Sequence, residues 1–240
     1  ELPHPEKMKH LSRPSFRSRM LTEPQGEHIM RSRVMAWDKI FPLGDPPDYE
    51  PSPEFSIAAR AEMKGIPPDE LAYDFLLKND GTNILYRPLS NYSYGNLDAV
   101  ADMMEDPHSL VGLGDGGAHV GILSDASAMT YMITHWTRDR TRGRKVKLPW
   151  AIKRITSDNA ATLGLTDRGM IKIGKKADLN VINYEHLKIN PPEVRYDLPA
   201  GGKRMVQTIE GYDATILSGH IVARHGKPTE SLPGKLVRSS

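Results

Sequence analysis

Leu110-Val111-Gly112-Leu113-Gly114-Asp115-Gly116-Gly117-Ala118-His119-Val120 is the stretch that decides how this chain is read. Its first four residues are apolar without alternation, the pattern of a short strand buried on both faces. Gly114 to Gly121 then reads as a Gly-rich loop. Ser124 or Asp125 caps the helix that follows, which carries Met129, Met132, Ile133 and Trp136. In parallel α/β folds catalytic residues sit at the carboxyl ends of strands, where the loops converge. The order strand, Gly114, Asp115, Gly116-Gly117, loop, helix puts Asp115 in that position. Glycines on both sides let the backbone bend sharply and let a ligand approach closely. A carboxylate so placed can bind a metal ion, or take a proton from a metal-bound water. An Asp-Gly turn with no chemistry fits the spacing equally well.

Working outward, the upstream segments alternate. Residues 55–63 are expected to form a short helix. Pro67-Pro68 opens another, with Leu71, Phe75 and Leu76 on one side and Asn79-Asp80-Gly81 ending it. Ile84-Leu85-Tyr86 reads as a short strand. Asn96 can cap a helix with Leu97, Val100, Met103 and Met104 on its apolar face. Residues 41–54 hold too many prolines for a helix or central strand and read as an ordered loop. Downstream, Pro149 starts a helix with Trp150, Ile152, Ile155 and Leu163 apolar, which Gly164 ends.

The pattern changes near residue 169. Met170, Ile171 and Ile173 read as one short strand, Gly174-Lys175-Lys176 as a turn, and Leu179, Val181 and Ile182 as a second strand. Ser218-Gly219-His220 between two apolar runs signals a hairpin. The fold class is therefore α/β. Residues 1–165 read as part of a parallel α/β barrel with a Pro-rich excursion at 41–54, and residues 166–240 as a small β domain. Only about two parallel strands can be placed, whereas a closed (β/α)8 barrel has eight and typically about 250 residues.

Composition sets outer bounds. The chain has 240 residues, 38% hydrophobic and 26% charged, an ordinary globular balance with enough apolar content for a core. A formal charge of +2 argues against nucleic acid or a membrane surface as partner. The absence of cysteine excludes disulfides, thiol catalysis and thiolate metal sites, and fits a reducing, cytoplasmic compartment. No apolar run is long enough to cross a bilayer. Glu1-Leu2-Pro3-His4-Pro5 has neither an initiator Met nor the order of a signal peptide, and reads as an internal start. Basic residues at Lys7, Lys9, Arg13, Arg17 and Arg19 are interrupted by Glu6, Glu23 and Glu27, and read as a solvated helix face.

His119, close to Asp115, is a candidate ligand or substrate donor, or a hydrogen-bonded loop histidine. His135 lies on a Met-rich helix face and is expected to be packed. His108 falls at a turn on the far side, and His186, His220 and His225 fall in the antiparallel region. No His-x-His, His-x-x-Glu-His or His-Glu-x-x-His occurs, so a self-sufficient zinc site is not expected within these residues. Arg138, Arg140, Arg142, Arg144, Lys145 and Lys147 form a basic stretch. It reads as a solvated loop first, and as an attractor of an anionic substrate or another subunit second.

Three stretches together resemble the amidohydrolase superfamily, in particular its N-acyl-D-amino-acid deacylases (D-aminoacylases). They are Val111 to Val120; Thr156-Ser-Asp-Asn-Ala-Ala-Thr-Leu-Gly-Leu165 with Arg168-Gly169, Gly174 and Ala177-Asp178-Leu179; and Leu198-Pro-Ala-Gly-Gly202 with Ala214 to His220, Gly226 to Thr229 and Leu232 to Arg238. The resemblance covers about residues 80–240. It implies a metal-bearing (β/α)8 barrel beside a β-sandwich, of which this chain would be the C-terminal part. It implies that Asp115 approaches the metal and serves as general base on a metal-bound water, then returns the proton to the leaving amine. Zinc is the implied cofactor. Most of its ligands have no counterpart here, and would lie in a missing N-terminal half. The resemblance places substrate contacts at Asn91, Tyr92 and Ser93; Gly116, Gly117 and His119 are further substrate-binding candidates from their place beside Asp115.

One departure bears on specificity. The deacylases carry a His-Pro-Arg element shortly after the Asp, whose Arg holds the substrate carboxylate. Here that region is Leu123-Ser-Asp-Ala-Ser-Ala-Met129, with no Arg. The leading expectation is metal-dependent hydrolysis of a C–N amide bond in an N-acyl amino acid or related compound. The alternatives are a non-catalytic piece that acts by association, and a cyclic-amide hydrolase. The expected partners are a small-molecule substrate and either a second copy or the missing half.

Overall fold

The computed structural model describes residues 2–23, 36–112, 119–122 and 125–237. The chain divides into two compact units, Glu1–Leu97 and Asp98–Ser240. The change from helices to strands falls inside the second.

The first unit begins with α1 (His4–Leu11) and α2 (Pro14–Thr22), each opened by a proline in its first turn. Arg17 on α2 forks onto Asp74 and Glu70 of α4 (Pro68–Gly81) at 2.8 Å each. It holds the Asp74 carboxyl below the usual carboxylate range, mainly through that hydrogen bond. Arg17 is thus a tie between helices, where the sequence suggested a solvated face. Ser56 caps α3 (Ile57–Lys64) by accepting from the Ala59 N–H, and Gly65 ends it in the left-handed region. α4 stops where expected: Asn79 and Asp80 adopt left-handed backbone before Gly81. Ile40, Ile57 and Ala72 form the core, with Trp37, Leu71 and Leu85 packed on it. The Pro-rich stretch opens with β1 (Phe41–Pro42), which pairs antiparallel with β2 (Leu85–Tyr86). Pro42 is tolerated there because the ladder is only two residues long and, among the described residues, no further strand pairs beyond it.

The second unit opens with α5 (Asp98–Glu105), which buries Ala101 and Met104 and leaves Met103 exposed. A 3-10 turn at Asp125–Ser127 leads into α6 (Ala128–Thr134), and a π-turn continues it through Asp139. Met132, Ile133 and Trp136 are buried as the spacing predicts. α7 (Leu148–Ile155) and α8 (Ser157–Thr162) replace the single expected helix. The break is at Thr156, whose backbone leaves helical geometry. It turns Leu163 into solvent, 70% exposed.

The strands follow. β3 (Leu179–Ile182), β8 (Tyr212–Leu217), β9 (His220–Arg224) and β10 (Lys227–Pro228) make an antiparallel sheet in the order β10-β9-β8-β3. Ser218 and Gly219 both have positive φ, so the expected hairpin closes with the twist its strands need. β4 (Lys188–Ile189) pairs with β7 (Ile209–Glu210), and β5 (Glu193–Leu198) with β6 (Gly202–Val206). Gly211 is required between β7 and β8: its φ is +97°, and a Cβ there would lie 2.6 Å from the Leu187 Cα.

One expectation of the sequence finds no counterpart among the described residues, and another is corrected. Every pairing among the described strands is antiparallel, so the described residues form a mixed α/β fold without a parallel layer. Met170, Ile171 and Ile173 form no strand, and Ile171 and Ile173 are 90% and 102% exposed. Their alternation is real, but no neighbouring chain among the described residues offers the hydrogen bonds that a strand requires.

Candidate active site

The Gly-rich segment is reached from both sides through residues whose backbone is anchored. Ser109 to Gly112 run without regular structure, and Leu110 is 49% exposed. The expected buried strand is therefore not present over 110–112; Leu113 lies outside the described residues. A strand buried on both faces needs strands on either side. Here the carbonyls are taken by side chains instead. Arg154 on α7 donates through Nη2 to the Ser109 carbonyl at 2.6 Å and to its Oγ at 3.0 Å. Asn159 on α8 donates through Nδ2 to the Val111 carbonyl at 2.7 Å. On the far side, the Ile122 N–H donates to the His119 carbonyl at 2.9 Å and closes a turn. The Val120 carbonyl accepts from Met205 N–H of β6 at 2.6 Å.

Asp115, Gly116 and Gly117 lie outside the described residues. His119 is exposed, with φ of +48°, in the second unit. Asn91, Tyr92 and Ser93 lie in the first unit, on one surface turn. Asn91 and Ser93 are exposed there, and the Ser93 hydroxyl donates to the Ser90 carbonyl at 3.5 Å. Tyr92 is buried: its hydroxyl donates to the Pro51 carbonyl and its ring stands edge-on to Phe41 at 6.0 Å. Its hydroxyl is thus engaged within the fold.

The basic stretch is solvated only in part: Arg144, Lys145 and Lys147 are exposed, while Arg138 and Arg140 are held within the fold. Arg140 is fully enclosed, donating to Asp98 at 2.7 Å and to the Arg144 carbonyl at 2.8 Å, with its guanidinium 4.6 Å from the centre of the Trp136 ring. Gly143 permits this: a side chain there would strike Arg140 and Asp98. Arg138 donates to the Leu187 carbonyl at 2.7 Å and to the Tyr184 carbonyl, joining the π-turn to the strands. Arg144 pairs with Asp102 and Glu105 of α5. These three arginines are internal ties, so they do not offer free charge to an anion. His135 is packed as expected, stacked on Tyr131 with ring centres 4.4 Å apart.

The model of the amidohydrolase family matches residues 50–223, and the chain belongs to that family. Comparison with curated proteins and with solved structures gives no match. Members of the family are hydrolases and usually bind a metal. Among the described residues no group of three His, Asp or Glu side chains could hold a metal ion. The described residues by themselves therefore do not supply a metal centre. Among the described residues, no helix is long and apolar enough to cross a membrane.

Reading the sequence missed Arg154 and Asn159. Asn159 was visible only inside a family motif. Arg154 appeared as one cation on an apolar helix, with nothing in its own neighbourhood to show that Ser109 would meet it.

Proposed function

We propose that this chain is the C-terminal part of an amidohydrolase related to the N-acyl-D-amino-acid deacylases. In this reading the complete enzyme hydrolyses a C–N amide bond in an N-acyl amino acid or related compound. The family match, which runs across the Gly-rich segment and into the antiparallel strands, is the observation that supports it most. Residues 1–165 would belong to a (β/α)8 barrel completed by residues other than those described, and residues 166–240 to its small β domain.

Asp115 is the acid–base group in this reading. It takes a proton from the attacking water as the new C–O bond forms. When the C–N bond breaks it gives that proton to the leaving amine, so the products are a carboxylic acid and a free amine. Gly116 and Gly117 leave room for substrate beside it, and His119, Asn91 and Ser93 offer polar groups to substrate, with Tyr92 as the packed residue that sets their turn. Zinc, the metal we propose, would be held by side chains outside the described set, and no step here is derived through it.

The test is a substrate panel of N-acyl-D-amino acids, N-acyl-L-amino acids and cyclic amides, read by amine release, with zinc content measured alongside. Amine release from open-chain N-acyl amino acids is expected. Because no Arg follows in the 123–129 region, little preference for the D over the L form is expected. Turnover of cyclic amides alone would replace the deacylase reading with the cyclic-amide one.

A second reading is favoured by Ile171 and Ile173, which stand almost wholly in solvent. Exposed aliphatic residues of this kind mark surfaces that associate. In that reading the chain is a non-catalytic piece that works by joining a second copy or another chain. Sedimentation separates the two: a monomer that turns over an amide excludes the second reading.

A further inference from the structure

α1 and α2 are 8 and 9 residues long. Helices that short are marginal in water by themselves, and normally persist by packing an apolar face. This pair packs very little. Among the described residues, Met8 is the one buried side chain of α1, and α2 buries none. The described core of the first unit, Ile40, Ile57 and Ala72 with Trp37, Leu71 and Leu85 packed on it, closes without a residue from either helix.

A line of mostly polar contacts along α4 holds the pair in place. Arg17 reaches Asp74 through Nε and Nη2, and Glu70 through Nη2, at 2.8 Å each. The Tyr73 hydroxyl donates to the Leu11 carbonyl at 2.7 Å. His4 donates through Nε2 to the Asp80 carbonyl at 2.8 Å. Met8 lies against Gly81, where a Cβ would come within 2.4 Å of its Sδ. The two helices also hold each other, with the His10 and Phe16 rings edge-on and their centres 4.5 Å apart. The Arg17 fork ties α2 to α4 by charge. Its members are 31%, 33% and 45% exposed for Arg17, Glu70 and Asp74, so dissolved ions reach it.

We infer that α1 and α2 form a strap that releases from α4 as one piece while the rest of the first unit stays folded, with the charged Arg17 fork as its latch. The latch lies wholly within the first unit and works whether or not the chain turns over an amide.

Amide hydrogen exchange in the full chain reads the strap directly, because its helical N–H groups are the donors that open. Lys7 and Ser12 donate to the Pro3 and Met8 carbonyls in α1, and Glu23 donates to the Arg19 carbonyl at the end of α2. Ile57, donating to the Ile40 carbonyl, and Leu71, donating to the Pro67 carbonyl, are the references in α3 and α4. Exchange is compared in the native protein, Arg17→Gln and Tyr73→Phe, at low salt and at about 1 M salt, where charges are screened beyond about 3 Å. At low salt, Arg17→Gln is expected to speed exchange in both strap helices about tenfold and to leave the references unchanged. High salt should speed strap exchange in the native protein and have little effect in Arg17→Gln. Tyr73→Phe loses a neutral contact, so its strap should exchange faster at low salt yet keep the salt response. References that accelerate as much as the strap would show the unit opening as a whole, and overturn the separate strap. Unchanged strap exchange in Arg17→Gln, or a salt response equal in Arg17→Gln and the native protein, would overturn the latch.

Discussion

Arg140 shows what a single residue can hide in a sequence. It stands in a run with Arg138, Arg142, Arg144, Lys145 and Lys147, and such runs usually face water. In the fold its side chain is 0% exposed. One signal was available: Trp136 precedes it by four residues, a spacing that puts two side chains on one helical face. The partner Asp98, 42 positions away, lay out of reach of any local pattern. Removing Arg140 strips Trp136 of its cover and frees two hydrogen bonds. Arg140→Ala is therefore expected to cost on the order of 3 kcal/mol in chemical unfolding. Asp98 is 58% exposed, so Asp98→Asn should cost about 1 kcal/mol or less. Equal losses in both variants would mean that the pair, and not the enclosed guanidinium, carries the stability. Asn159 is a similar case: its hydrogen bond to the Val111 carbonyl spans 48 positions and left no local signal.

At the scale of elements, local chemistry read well and pairing read poorly. The Ser218-Gly219 hairpin, the end of α4 at Asn79-Asp80-Gly81 and the proline-opened α7 follow from the intrinsic conformational preferences of those residues. Of the strands expected at 110–113 and 170–173, neither forms over the described residues, because a strand is defined by what lies beside it. Apolar content at Leu110 and Ile171 shows what a strand would bury but not whether a neighbour exists. The α7–α8 pair also carries a pH dependence. Lys153, by hydrogen bonding first and by charge as well, holds the Asp158 carboxyl below the ordinary carboxylate range, with Arg154 adding to it. A depressed folded pKa means that this contribution is complete above the unfolded value of about 3.9 and is lost as the pH falls through the folded one. The Arg154 grip on Ser109 is therefore expected to loosen in acid. In chemical unfolding, the stability of the native protein over Asp158→Asn should be constant above about pH 4 and shrink below it. A difference that stays the same into acid would remove Asp158 from the pH dependence.

For the whole molecule, the mixed α/β class and the antiparallel character of the C-terminal strands were legible, because alternation and turn residues repeat there over many positions. The tie between helices and strands in the second unit was not. It runs through Arg138 to Leu187, Thr130 to Tyr212 and Ser127 to Gln207, contacts between residues 49 to 82 positions apart. Membership of the amidohydrolase family frames the chemistry, and the described residues supply the support for it rather than a metal site. The central claim is that Asp115 moves the proton in amide hydrolysis. Amine release from N-acyl amino acids, compared between the native protein and Asp115→Asn at matched unfolding midpoints, tests it most directly. The account predicts a fall in kcat of at least about 100-fold, the lower end of what a positioned acid–base group contributes. Native-like turnover in Asp115→Asn would contradict it.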